Sequence, residues 1–195
     1  MPRQRIRFGD GRVYRLRVEL ADVTPAVWRR LEVSGRASLR ELHEAVECAF
    51  IRAAHAYEFE VDGVRYVDAA DDPPPGRSAD NASLDSLRLH IGSRFTHDVE
   101  GPATPWRYVI TVEEIGPRLV GQRVPLCIAA RGGAPPEHVE SVADFTEFLA
   151  AWRDPDHPRS AEVRQWHPDA FDPDYTDLAA INAALARVPK HRPPT

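Results

Sequence analysis

The chain has 195 residues and a formal net charge of −5, from 25 basic and 30 acidic side chains. Its 43% hydrophobic and 28% charged content matches an ordinary globular protein and puts membrane, coiled-coil and disulfide-scaffold readings far behind. Charge is split: residues 1–56 hold 11 Arg against 7 acids (+4), and residues 57–195 hold 14 basic against 23 acidic groups (−9). Of the 25 basic residues, 24 are Arg, with Lys190 the one lysine; coding bias is the first reading of that skew.

No stretch approaches the ~20 apolar residues of a membrane span. The first residues, MPRQRIRFGDGR, are basic and lack an apolar signal core, so a cytoplasmic protein is expected. Cys48 and Cys127 form no C-x-x-C motif and are expected to be buried, reduced thiols.

In chain order, RVYRLRVEL (12–20) alternates Tyr14, Leu16, Val18 and Leu20 against Arg15, Arg17 and Glu19, which predicts a half-buried strand. After a turn at Pro25, AVWRRLEV (26–33) predicts a second strand with Val27, Leu31 and Val33 on one face and Trp28 opposite. Ser38 and Glu41 have capping-box spacing, opening a helix over about 38–53. Residues 56–69 predict a hairpin around Asp62-Gly63. Residues 68–80, rich in Pro and Asp, read as an exposed loop, and 84–91 is ambiguous. Strands are expected at 94–99 and 106–115, with a weaker one near 119–124. Residues 125–138 hold two glycines and three prolines, so no regular element is expected there.

After residue 140 the period becomes helical. Ser141 and Asp144 cap one helix, a short one covers about 159–166, and Asp172-Pro173 is read as the start of a last one carrying Leu178, Ile181, Leu185 and Val188. Residues 189–195 should fray. The whole is read as one domain with a core over about 12–188. Its class is α+β: a mixed or antiparallel sheet with a capped helix packed on it and a helical C-terminal part.

Several of these segments, in this order, resemble the plasmid pRiA4b ORF-3-like family. Trp28, Arg29 and Arg30 match its tryptophan–arginine strand, and Leu39, Leu42 and His43 match its leucine-leucine-histidine helix. His55, Glu58 and Phe59 follow. Cys127 and the Ala134-Pro-Pro-Glu137 loop come later, then Phe171, Asp172, Pro173, Asn182 and Leu185. The resemblance implies a pRiA4b ORF-3-like α+β fold, in a bacterial and plasmid-associated family, and no established activity. Two segments depart from the family pattern. Its Tyr-x-Tyr-Asp-Phe-Gly-Asp and Trp-x-His segments become Phe95–Gly101 and Trp106-Arg-Tyr108, and Glu140-Ser141 replaces a glycine pair.

Three functional readings follow. The first is a non-enzymatic binding or interaction module with His97, Asp98, Trp106, Tyr108 and Glu137 lining one site. The second is a metal-assisted enzyme centred on His43, His55 and Asp98, with His43 and His55 as the metal-ligand candidates. Its weakness is that HEAVE, with Glu47 four residues after His43, lacks the second histidine of H-E-x-x-H. The third is a nucleic-acid surface of Arg15, Arg17, Arg29 and Arg30. Against it, the molecule is acidic overall and no aromatic–basic stacking motif accompanies these arginines, so solvent-facing strand positions are the favoured reading of them. No phosphate loop, nucleophile elbow or zinc-cluster motif occurs, so no cofactor is implied and a binding module is favoured over an enzyme.

Overall fold

Alternation along the first two strands sets the frame for the rest of the chain. The computed structural model describes residues 7–50, 56–68, 76–101, 103–136, 138–166 and 171–189. Strands β1 (Phe8–Leu20) and β2 (Trp28–Ser34) pair antiparallel. They are followed by helix α1 (Leu39–Phe50) and the hairpin β3 (Tyr57–Val61) and β4 (Val64–Val67). Then come β5 (Arg77–Ser78), two 3₁₀ turns, β6 (Arg94–Val99), β7 (Trp106–Leu119) and β8 (Leu126–Arg131). Helices α2 (Val142–Arg153), α3 (Ser160–Trp166) and α4 (Leu178–Leu185) close the chain.

The eight strands form one sheet in the order β5-β4-β3-β6-β7-β1-β2-β8. All pairings are antiparallel except the short β4–β5 pair, so the sheet is mixed and the class is α+β. Tyr14, Leu16, Val18 and Leu20 point to the buried face, as their spacing requires. α1 lies on that face, and α4 packs beside it against β8.

The local signals explain the well-predicted elements. Ser38 Oγ accepts from the Glu41 N–H (3.2 Å), and Glu41 returns the contact to the Ser38 N–H (2.9 Å). Asp62 and Gly63 both take positive φ (49° and 74°), the conformation a primed two-residue turn demands. Ser141 Oγ accepts from Asp144 N–H to start α2, whose Phe145, Phe148 and Leu149 are buried.

Five expectations are corrected. β1 begins at Phe8 and pairs there with Leu119 of β7, so β7 absorbs the start of the supposed 119–124 strand, and a turn follows. Residues 126–131 are a strand, not irregular. Their pairing with β2 slips by one at Ile128, which breaks the period-two pattern that would reveal them. The last helix starts at Asp177, whose carboxylate accepts from Ala179 and Ala180; Asp172 instead closes a turn on Asp174 N–H. Within the supposed 68–80 loop, Arg77–Ser78 joins the sheet and a 3₁₀ turn covers 79–81, while 69–75 lie outside the described residues. Cys127 is buried but Cys48 only partly so; neither is in a disulfide.

β8 is an edge strand, and the chain covers it. Asn182 Oδ1 accepts from the Cys127 N–H (2.8 Å), and Asn182 Nδ2 donates to the Cys127 carbonyl (2.9 Å). One side chain thus imitates the next strand and blunts the edge. Asn182→Ala is expected to cost about 1–2 kcal/mol, because both backbone groups lose a protein partner. Urea unfolding checks this; a change below about 0.5 kcal/mol would mean that water replaces the amide without penalty.

Candidate functional site

The two faces of the sheet separate residues that are close in sequence. On β6, His97 points inward and Asp98 outward, because neighbours in a strand face opposite ways. His97 lies opposite Tyr108 and Phe59, and Val99 opposite Trp106 and Tyr57. His97, Tyr108 and Trp106 are all buried, at 0%, 1% and 1% exposure. Asp98 instead meets Arg107 in a two-point ion pair on the outer face (2.7 and 2.6 Å). The expected constellation therefore divides: three members share a face sealed by α1, and the fourth lies on the other side of the sheet. Glu137 lies outside the described residues.

Helix α1 lays its own histidine on this seam. His43 stacks on Tyr57 with ring centroids 3.8 Å apart, and its Nδ1 is 3.0 Å from His97 Nε2. That distance is one hydrogen bond, so one ring donates and the other accepts. His97 also stacks on Phe59 at 4.2 Å. Burial, with His43 next to it, holds the His97 pKa well below its usual 6.5, so the ring is neutral. His97 Nδ1 and the Tyr57 hydroxyl have no hydrogen-bond partner among the described residues. Burial likewise raises the Tyr57 pKa. Glu47, one turn beyond His43, is buried too. Among the described residues no three His, Cys, Asp or Glu side chains gather into a metal-binding group; His55 lies outside them.

The four arginines also divide. Arg29 is not solvent-facing. It sits on the inner parity of β2 with Leu31 and Val33 and is 2% exposed. Its guanidinium lies over the Phe50 ring (4.7 Å) and donates to the carbonyls of Ala49, Trp28, Arg131 and Gly132 at 3.0–3.1 Å. Burial lowers its pKa to about 10, still leaving it charged at neutral pH. Arg15, Arg17 and Arg30 are on the outer face, each held by a carboxylate: Arg15 by Glu32 and Glu114, Arg17 by Glu19, Arg30 by Glu113. Arg17 and Arg30 also flank the Trp28 ring at 4.7 and 5.2 Å. This face is a lattice of compensated charge, not a bare cationic patch.

An open cavity lies elsewhere, at the end of the sheet beside the start of α1. It measures about 250 Å³. Val33, Ala37, Val124, Pro125 and Val188 give it an apolar lining, and Arg36, Arg118 and Glu41 add charge. Glu41 is the capping residue of α1, turned to the Ser38 N–H. Arg118 donates to the Gln122 carbonyl, and neither Arg36 nor Arg118 has an ion pair among the described residues. Sequence reasoning missed this site. Its lining comes from the end of β2, the β7–β8 region and the chain after α4, and no local pattern joins those segments.

Comparison with known proteins agrees with the architecture. The family model described as plasmid pRiA4b ORF-3-like protein matches residues 12–180. An uncharacterized protein, y4hQ, of Sinorhizobium fredii is 32% identical over 179 residues, covering 89% of this chain and 90% of its own. The crystal structure of MM3350, a protein of unknown function from Methanosarcina mazei Go1, superposes with a TM-score of 0.78 at 26% identity, covering 88% of this chain and 98% of that one. No described helix is long and apolar enough to cross a membrane. With the family pattern matched along most of its length and the same fold in a solved relative, the chain belongs to the plasmid pRiA4b ORF-3-like family.

Proposed function

We propose that this chain is a non-enzymatic binding module whose ligand enters the cavity between the end of β2, the β7–β8 region and the residues after α4. The observation that carries this reading is the cavity itself: an apolar lining with two arginines that have no ion pair among the described residues. Small-molecule sites combine these features, an apolar body with a few orienting polar groups. In this reading His97, Tyr108 and Trp106 do not touch the ligand. His97 through His43 and Tyr108 through Phe50 hold α1 on the sheet and so fix the position of Ala37 and Glu41 at the rim.

The paired state of Arg15, Arg17 and Arg30 favours this reading over a nucleic-acid surface, since their charge is already met by glutamates. The two free cysteines support a reducing, cytoplasmic setting.

The test is a fragment screen read by backbone amide chemical shifts of the full chain. Responding amides are expected to cluster at Ser34–Ala37, Val124 and Val188. Hits that cluster instead on the outer face of β1 and β2, or a complete absence of hits, would contradict the reading.

A further inference from the structure

The chemistry of the cavity narrows its occupant, and this inference rests on the binding reading just given. Its volume of about 250 Å³ lies just below the ~300–1,000 Å³ of pockets that take drug-sized ligands, which suits a short chain. The lining is mostly aliphatic: three valines, an alanine and two prolines offer surface that gains from excluding water. Among the described residues no tryptophan, tyrosine or phenylalanine lines it, so none of them stacks a base or an aromatic ring there.

The polar part is cationic. Arg36 is exposed and its guanidinium has no ion pair among the described residues; Arg118 is half-buried and keeps part of its fork for the Gln122 carbonyl. Arg15, Arg17, Arg30, Arg65 and Arg107 on the strands each hold a carboxylate, whereas Arg36 and Arg118, like the exposed Arg77, Arg94 and Arg131, have no ion pair among the described residues; what sets Arg36 and Arg118 apart is that they line an apolar cavity. The lining carboxylate, Glu41, is turned to the helix cap. A ligand with an aliphatic body and one anionic head matches this arrangement, with its chain on Val33, Val124 and Val188 and its head toward the guanidinium forks.

We infer that the cavity binds a medium-chain aliphatic carboxylate, with Arg36 and Arg118 as the residues that select the charged head. Calorimetric titration of the full chain with octanoate and with octanol tests this. Octanoate is expected to bind saturably at one site, and octanol about tenfold more weakly. Arg36→Gln and Arg118→Gln are each expected to weaken octanoate about fivefold and to leave octanol unchanged, as suits exposed charge-assisted bonds. Circular dichroism of both variants should match the parent, since neither arginine holds the core.

Equal binding of octanol and octanoate, or glutamine variants that bind octanoate as the parent does, would overturn the charge selection while leaving the cavity as a binding site. Failure of both compounds to bind, with fragments still mapping to the cavity, would overturn the aliphatic-acid class. Binding of a peptide bearing an apolar C-terminal residue, with no binding of octanoate, would replace the small acid by a protein terminus.

Discussion

Replacing Arg29 by methionine is expected to lower the unfolding free energy by about 3–5 kcal/mol. The guanidinium is buried and has no carboxylate partner among the described residues; its donors go to four backbone carbonyls. Those carbonyls belong to the end of α1, to β2 itself, and to the end of β8 with the glycine after it. One side chain thus ties the helix to the edge of the sheet. Methionine restores most of the apolar volume over Phe50 but donates nothing, so the acceptors lose their partner inside the protein. Each buried unsatisfied acceptor costs about 1–3 kcal/mol, and relief from burying a cation offsets part of the sum. For a chain of this size the loss should appear as a fall in Tm of about 10 °C. Arg29→Lys should fall between the two, because an ammonium cannot reach carbonyls on three sides at once. Urea unfolding of the three proteins decides it. A methionine variant within about 1 kcal/mol of the parent would show that these bonds contribute little to holding α1 against β8.

The second large effect is a loss of stability in mild acid. His97 is neutral in the fold because burial, and then His43, depress its pKa. The unfolded chain binds a proton at this residue below about pH 6.5. A base whose pKa is depressed by folding therefore contributes full stability above about pH 6.5 and loses it as pH falls. Between pH 7 and pH 5 this group alone should remove about 2 kcal/mol, at 1.36 kcal/mol per pH unit below the unfolded pKa. His97→Gln keeps an amide near the position of Nε2 and removes the titration. It is expected to cost about 1–3 kcal/mol at pH 8 and to flatten the decline between pH 7 and pH 5. Unfolding curves at half-unit pH intervals supply the measurement. An equally steep decline in the variant would assign the acid sensitivity to other groups.

The alternation Val27, Arg29, Leu31, Val33 already put Arg29 on the buried face; charge alone suggested solvent. Period outranked residue type because backbone carbonyls at the end of a helix and beside a glycine supplied partners that no pattern displays. His97 and Asp98 show the same rule from the other side: adjacent positions in a strand cannot share a site on one face of a sheet. The capping box at Ser38 and Glu41 and the Asp62-Gly63 turn were legible because both ends of each interaction lie within three residues. β8 was not, because its bulge at Ile128 shifts the alternation and its neighbours are rich in glycine and proline. The cavity was least legible of all. Arg36 and Arg118 are 82 positions apart, and only the folded sheet brings the end of β2 to the β7–β8 region.

The most direct measurement is a crystal structure of the full chain grown with octanoate. The account predicts one bound molecule with its alkyl chain against Val33, Val124 and Val188 and its carboxylate facing Arg36 and Arg118. An empty cavity, or octanoate lodged instead between α1 and β6 beside His43 and His97, would contradict it.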